Sequence, residues 1–197
     1  MKYIKISYKN NSKLYNIIFL IISISITLGL ILSFSIDKEL VINIYNYFLE
    51  HTNNYNNNIL SNIFYPIIIY LIIFISSLTI IGSLTPFLAL FIENISIGLL
   101  IGITLRIKAL KGLIHILIYF TLTKLLYILI LIYLTINIYK FIKLFILSIK
   151  NKTSETIYNI YSKLFIKILF SITLITIYNL ICIYIIPKII NLFNFLL

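Results

Sequence analysis

F-I-E-N-I-S-I-G-L-L-I-G-I-T-L-R, residues 91–106, places a glutamate inside a segment that is otherwise almost entirely apolar. This residue, Glu93, is one of only five acidic residues in a chain of 197. A lone carboxylate is costly in hydrocarbon and persists there when it has a partner. A partner in another apolar run would hold two helices side by side, so finding it decides how this segment folds.

The composition around this stretch is that of a membrane protein. Hydrophobic residues make up 61% of the chain, charged residues 11%, and the mean hydropathy is +1.10. Soluble domains carry about a quarter charged residues, so most of this chain has lipid as its solvent. The net charge of +11 does not indicate nucleic-acid binding. The lysines lie at the ends of apolar runs, where they set topology and contact anionic lipid.

Apolar runs predict an all-α, polytopic protein of the cell membrane, with about five transmembrane helices in one domain over residues 1–197. Lysines place the N-terminus and the mixed segment 139–167 in the cytoplasm, which puts the C-terminus outside. Surface amphipathic helices are predicted for the mixed segment. The predicted spans are residues 17–36, 59–81, 87–105, 113–136 and 168–186.

A basic turn between the third and fourth runs disagrees with this topology. Arg106, Lys108 and Lys111 face outward if both runs cross the membrane fully. Either this turn is an exception to the positive-inside rule, which is statistical, or the two runs form a re-entrant hairpin that protein must surround. We favour full crossing.

The same turn supplies a partner for Glu93. Glu93 lies thirteen positions before Arg106, and Lys124 lies thirteen after Lys111. In antiparallel helices joined by the turn, both side chains lie roughly 20 Å from it, at about 1.5 Å of rise per residue. We therefore predict that Glu93 pairs with Lys124. Such a pair fixes helix register or relays protons or ions, and we favour the structural role because no second carboxylate lies at this depth.

Small and polar residues accompany the pair. Asn94, Gly98 and Gly102 recur at four-residue spacing, a pattern that lets membrane helices approach closely. Gly112 ends the basic turn and favours close packing there. This face binds a helix of the same chain or a partner subunit, and we favour the first. Asn94 or Thr123 is expected to bond the polar groups that the ion pair leaves over.

The sequence holds no motif for catalysis or for a cofactor. His115 has no Cys, Asp or Glu at ligand spacing and is predicted to be an interfacial polar residue. The single cysteine, Cys182, provides neither a disulfide nor a metal site. The chain is therefore predicted not to be an enzyme and to hold no cofactor or metal.

The polar segment 37–58 is the only sizeable loop predicted outside the membrane. Leu40, Ile44, Tyr47 and Phe48 fall at helical spacing within it, which predicts a short amphipathic helix on the outer surface. We expect this helix to contact partner proteins.

A resemblance to a known family rests on four stretches that follow one another along the chain. They are D-K-E-L-V-I-N-I-Y-N-Y-F-L-E (37–50), I-I-G-S-L-T-P-F-L-A-L-F-I-E-N-I-S-I-G-L-L-I-G (80–102), K-G-L-I-H-I-L-I-Y-F-T-L-T-K-L-L (111–126) and Y-I-I-P (184–187). In this order the chain resembles the stage II sporulation protein M family. That family commonly has a Lys-Gly pair in place of Glu93-Asn94 and a Pro-Gln-Asn-like turn in place of Leu122-Thr123-Lys124.

The resemblance implies a non-enzymatic membrane scaffold. Members of the family hold two peptidoglycan-cleaving proteins, sporulation proteins D and P, at the septum during engulfment of the forespore. The rival interpretation is a small permease or transporter subunit, with discontinuous helices and ionisable residues at membrane depth. A transporter is expected to show a hydrated cavity lined by Glu93, Lys124 and His115, whereas a scaffold is expected to show a dry, packed hairpin.

Overall fold

The computed structural model describes residues 2–53, 59–77, 79, 81–150 and 154–193, without the side chains of 2–11, 53, 59–61, 81, 115, 149–150, 154–158, 160, 187 and 190–193. The described residues form α-helices and one 3-10 turn, with no strand among them. The helices are α1 (Lys2–Ser35), α2 (Lys38–Asn53), α3 (Ile59–Ser77), α4 (Thr85–Thr123), α5 (Leu125–Lys150) and α6 (Ser154–Phe193), and the 3-10 turn (Ile81–Leu84) precedes α4.

The prediction of an all-α, polytopic membrane protein is confirmed. In the described part of the chain, four segments are long and apolar enough to cross a membrane, and a shorter apolar helix covers Asn62–Ser77. The fourth predicted span, 113–136, is divided between α4 and α5. The four long segments are Ser12–Ser35, Gly82–Ile114, Leu125–Ser148 and Tyr161–Ile186.

Helix α4 doubles back on itself at Ala109, whose φ of 52° and ψ of −139° are not helical. Glu93 and Lys124 lie 31 positions apart in sequence, which is about 46 Å along an unbroken helix. Their side chains are nevertheless 2.9 Å apart. Residues 85–108 and 110–123 are therefore two limbs of an antiparallel hairpin, called the first and second limbs below.

The first limb has the length of a full crossing. At about 1.5 Å per residue, residues 85–108 rise roughly 36 Å, against about 30 Å for the hydrocarbon core. Gly112 lies just beyond the reversal, where a Cβ would meet the side chains of Thr104 and Lys108. The hairpin is thus close-packed at its turn, and its length favours full crossing over a re-entrant dip.

Helix α1 packs along the first limb in the same direction. A Cβ on Gly98 would collide with the backbone of Ile26, and one on Gly102 would collide with the side chain of Ser33. Gly29 of α1 faces the α4 backbone in the same way. The predicted small-residue face therefore packs within the chain, and Gly29, which the sequence did not single out, belongs to it.

The C-terminal end of α1 is capped from the basic turn. The Arg106 guanidinium donates to the carbonyl oxygens of Ser33 and Ile36, the second at 3.0 Å. The last carbonyls of a helix have no partner within it and carry a partial negative charge, which a cation satisfies. Arg106 thus has a structural role that does not depend on which side of the membrane the turn faces.

The second limb and α5 run antiparallel to α6. The Tyr178 hydroxyl donates to the Leu122 carbonyl at one level, and Lys167 donates to Asn137 at 2.6 Å at another. The basic segment 139–167 therefore does not form separate surface helices as predicted. It continues α5 and α6, because their apolar faces keep packing against each other beyond the apolar runs.

Helix α2 also departs from its prediction, because it packs along the hairpin instead of lying across its end. Val41 clusters with Ile103 near the turn. The ring of Phe48 meets that of Tyr119 edge to face, with 5.1 Å between centroids. In its last turn, His51 reaches a cavity beside the ion pair. The helix thus runs from the Ala109 end of the bundle to the depth of Lys124.

The predicted contact face of α2 is out of register by about one residue. Leu40 and Tyr47 are exposed, at 54% and 70%, but Ile44 is half-buried and Phe48 is buried. A stripe that continues over about three turns packs better against the hairpin than one that stops at Phe48. The buried stripe is Val41, Tyr45, Phe48 and Thr52.

Helices α2 and α3 follow each other along α6, antiparallel to it. Helix α2 clusters with Cys182, and Asn179 donates to the carbonyl of Asn62 in α3 at 2.9 Å. Farther along, the rings of Phe74 and Phe165 lie 5.7 Å apart. The end of α2 and the start of α3 therefore meet within the length of the bundle, near Asn179.

The positive φ at Ala109 gives a test of the hairpin. Only glycine adopts this region freely, so Ala109→Gly is expected to leave the unfolding midpoint unchanged or raise it, whereas the β-branched Ala109→Val lowers stability by about 1–3 kcal/mol. Thermal unfolding in detergent measures both. Equal destabilisation by the two variants would show that the reversal does not lie at this residue.

Candidate functional site

An ion pair joins the two limbs of α4. Lys124 Nζ donates to Glu93 Oε2 at 2.9 Å, so the contact predicted from the sequence is present. The Glu93 side chain is only 5% exposed, whereas that of Lys124 is 31% exposed. Burying a carboxylate without a cation costs several kcal/mol, so the pair holds the limbs in register.

The groups around the pair differ from those predicted. Asn94 donates to the carbonyl of Leu90 at 2.7 Å, and Thr123 donates to its own helix in the same way. Short polar side chains reach the carbonyl four residues back more easily than a neighbouring helix. The other Glu93 oxygen instead accepts a long hydrogen bond of 3.4 Å from the Tyr65 hydroxyl of α3. Because the chain contains sixteen tyrosines, the sequence alone did not identify Tyr65 as a hydrogen-bond partner of Glu93.

Lys124 lies at the junction of α4 and α5. Helical bonding continues through the junction, with the Lys124 nitrogen donating to Phe120 and its carbonyl accepting from Ile128, both at 2.9 Å. The Leu122 carbonyl also accepts from the Cys182 thiol at 3.3 Å. These hydrogen bonds join the junction to a neighbouring helix. Helix α6 thus supports the position of Lys124.

A polar cavity of about 330 Å³ opens beside Lys124. Helix α2 contributes Tyr47 and His51 to its wall, and α3 contributes Asn62 and Tyr65. Tyr47 and Tyr65 are largely exposed and mark its mouth. The volume lies at the lower end of the roughly 300–1,000 Å³ that small-molecule sites occupy.

The rest of the cavity wall comes from the hairpin and from α6. Tyr119 and Thr123 line it from the second limb, Tyr127 from α5 and Asn179 from α6. The Tyr127 hydroxyl is buried beside the Glu93 carboxylate. This hydroxyl is closed off from the cavity and faces Glu93, so Tyr127 contributes other parts of its side chain to the wall.

The two partners of the ion pair face different surroundings. Glu93 does not line the cavity; it lines an apolar groove between α3 and the first limb, beside Ile72 and Leu88. Lys124 lines the cavity and also borders an apolar groove toward α1 that contains Thr121. The ammonium, and not the carboxylate, is therefore the charge that the cavity presents.

Several predicted residues lie away from this site. Gly98 and Gly102 pack against α1, and Gly112 packs at the turn. The side chain of His115 lies outside the described residues. Within the described part of the chain, no group of three or more His, Cys, Asp or Glu side chains is placed to hold a metal ion.

The sequence analysis missed His51, Asn62, Tyr119 and Asn179. A polar amide inside a predicted span indicates a functional site, and Asn179 in the last apolar run is such a residue. His51 lies in the segment interpreted as an outer loop, and Asn62 lies at the edge of a predicted span. Only the packing of α2 and α3 brings these two residues to Lys124.

Comparison with known proteins identifies no relative. No family model matches the chain, and neither a curated protein nor a solved structure matches it.

The unequal burial of the pair predicts unequal costs for removing its partners. Lys124→Gln leaves the Glu93 carboxylate buried without a cation and is expected to lower the free energy of unfolding by about 3 kcal/mol. Glu93→Gln leaves an ammonium that faces a polar cavity, and is expected to lower it by about 1 kcal/mol. The double variant should cost less than the sum.

Chemical or thermal unfolding in detergent measures the three variants, with the exposed Lys143→Gln as a control. Additive costs would mean that the two side chains are not coupled.

Proposed function

We propose that this chain is a membrane protein of the transport class, which binds a polar solute in the cavity at Lys124. One observation carries the proposal: a lysine lines a polar cavity at the junction of α4 and α5, within the length of the bundle. Solute sites of transporters are built from such discontinuous helices near the midplane.

Polar side chains of three helices support a hydrated cavity. His51 of α2, Asn62 of α3 and Asn179 of α6 line it together with Lys124. In lipid, polar groups require protein or water. A polar, water-filled space satisfies groups that hydrocarbon would not.

The depth of the cavity also supports the proposal. Lys124 lies fifteen positions beyond Ala109, which is roughly 22 Å from the reversal along the second limb. For a hydrocarbon core of about 30 Å, that is well inside the bilayer. An ionisable residue at this depth marks a solute or ion pathway by default. The proposed role binds and moves a solute and includes no covalent step.

A matched pair of threonines tests whether the cavity holds water. Thr123 is buried but lines the cavity, whereas Thr121 is exposed but borders the apolar groove. In a Cys182→Ser background, Thr123→Cys is expected to react with iodoacetamide at least about tenfold faster than Thr121→Cys, because only the ionised thiolate reacts and ionisation needs water.

Mass spectrometry of the intact protein in nanodiscs measures both rates. A faster reaction at Thr121→Cys would mean that lipid-facing exposure governs reactivity and that the cavity is dry.

A scaffold that gathers peptidoglycan hydrolases at a septal membrane is the second candidate. Its support is the sequence resemblance over residues 80–102 and the exposure of Leu40 and Tyr47 on one face of α2. With the N-terminus in the cytoplasm, as the lysines favour, this face lies toward the outside of the cell, where such hydrolases act. This role would leave the cavity without a function.

The exposed face of α2 is the place to test the scaffold. Leu40→Ser with Tyr47→Ser is expected to abolish co-purification of an extracytoplasmic peptidoglycan hydrolase, while the protein still inserts, because both side chains are exposed and neither supports the core. Ile42→Ser, on another exposed face of the same helix, is the control. Undiminished co-purification with the double variant would argue against this face as the contact.

A further inference from the structure

We propose that an anionic phospholipid binds in the seam between α5 and α6, with its phosphate at Lys140, Lys163 and Lys167 and an acyl chain in the adjoining apolar groove. The inference goes beyond the proposed function, because none of these three lysines lines the cavity at Lys124. It draws on three features of the seam: a cluster of like charges, a groove that continues it, and the depth at which the two meet.

Three lysines, called the lysine cluster below, come together where α5 packs against α6. Lys167 Nζ donates to Asn137 Oδ1 at 2.6 Å, which holds the half-buried ammonium against α5. The charges of Lys140 and Lys163 lie close enough to act on that of Lys167. An ammonium carries three donors, and Asn137 accepts from one of them, so Lys167 can also donate to a phosphate oxygen.

The lysine cluster has no counter-charge among the described side chains. Both charges that act on Lys167 are positive, and no described carboxylate pairs with any of the three lysines. Glu155, the acid nearest in sequence, lies outside the described side chains and is twelve positions, about 18 Å along α6, from Lys167. Like charges that lie close together repel one another. An anion bound among them relieves this repulsion and accepts charge-assisted hydrogen bonds.

An apolar groove continues the seam from the lysine cluster toward the middle of the bundle. Residues of the groove and of the cluster recur at intervals of three and four along each helix, which places them on one face. On α5 they are Ile130, Tyr133, Asn137 and Lys140, and on α6 they are Lys163, Lys167, Phe170 and Leu174. The charged and apolar parts of the seam are therefore neighbours.

The groove suits a hydrocarbon chain. It has a volume of about 330 Å³, and most of the side chains that line it are apolar. Phe170 on its wall is 59% exposed, so the groove opens on the outside of the bundle, where lipid lies. Within a bilayer an acyl chain gains van der Waals contact from such a surface, whereas a soluble oxyanion gains nothing. The groove therefore favours a lipid as the source of the phosphate.

The depth of the lysine cluster matches that of lipid headgroups. Asn137 lies 28 positions beyond Ala109, which is roughly 42 Å from the reversal along the second limb and α5. Hydrocarbon spans about 30 Å of a bilayer, and the whole bilayer measures about 40–45 Å. With the basic turn at one interface, the cluster lies among the opposite headgroups, and the groove reaches back from it into hydrocarbon.

The side of the membrane also favours an anionic lipid. The lysines of segment 139–167 favour the cytoplasm for this end of the bundle. The cytoplasmic leaflet carries the anionic lipids, and basic pockets between transmembrane helices on that side bind their headgroups. A phosphodiester headgroup with a net negative charge therefore fits the site better than a zwitterionic one.

Native mass spectrometry of the full chain tests the proposal by counting bound lipids. The protein in detergent is titrated with dioleoyl phosphatidylglycerol or dioleoyl phosphatidylcholine, whose acyl chains are identical. We expect the first phosphatidylglycerol to bind at a concentration at least about fivefold lower, because only this lipid brings a net negative charge to the lysine cluster. Glycerol 3-phosphate, which has the phosphate without the chains, is expected not to displace it at the same concentrations.

Two exposed lysines distinguish a defined site from a generally basic surface. Lys163→Gln is expected to weaken phosphatidylglycerol binding by about fivefold, the effect of one lysine near an anionic headgroup. Lys143→Gln removes the same charge at the same end of the bundle, but Lys143 is not among the charges that act on Lys167. It is expected to change binding by less than about twofold. Both side chains are exposed, so neither change disturbs the core.

A second pair of variants tests the groove. Leu174→Trp places a larger side chain in the groove and is expected to weaken phosphatidylglycerol binding by about threefold. Ile177→Trp, on the same helix but outside this groove, is the control and is expected to leave binding unchanged.

A preference for phosphatidylglycerol that Lys163→Gln removes and Lys143→Gln preserves supports the site. Equal binding of the two lipids by the wild-type chain, or equal effects of the two lysine variants, overturns it. Displacement by glycerol 3-phosphate identifies a soluble anion as the ligand and overturns the assignment to a lipid. Unchanged binding in Leu174→Trp overturns the placement of the acyl chain in the groove.

Discussion

The contact between Glu93 and Lys124 is the constraint on which the rest of this structure depends. A carboxylate that is 5% exposed within an apolar segment needs a cation close by, because the low dielectric around it leaves few alternatives. Its partner is 31 residues away, so the chain must reverse between them. The reversal at Ala109 sets the two limbs antiparallel, and the pair fixes their register.

Once the limbs are in register, the position of Lys124 determines the polar interior of the bundle. Its side chain lines a cavity that His51 of α2, Asn62 of α3 and Asn179 of α6 also line. A charge and side-chain amides both require polar surroundings inside a membrane, and this cavity brings them together. The ion pair is therefore buried on its Glu93 side and open to the cavity on its Lys124 side.

Several sequence-based predictions held because they rest on the local cost of placing groups in lipid. The apolar runs predicted a polytopic helical protein, the equal spacing about the basic turn predicted the ion pair, and the spacing of Gly98 and Gly102 predicted close packing against another helix. Asn94 and Thr123 were assigned wrong partners, because their own helix offers a nearer carbonyl. Helix α2 was predicted as a surface helix, because its polar composition hid the stripe that packs against the hairpin.

The sequence by itself determined that the chain is a helical membrane protein and that its one acid in a span must find Lys124, since hydropathy, rise per residue and the cost of a bare charge depend on neighbouring residues alone. Only the tertiary structure decided that α2 runs inward along the hairpin and that His51, Asn62, Tyr127 and Asn179 meet at Lys124. These residues come from four helices. Their meeting depends on how the helices pack against each other, which no local pattern specifies.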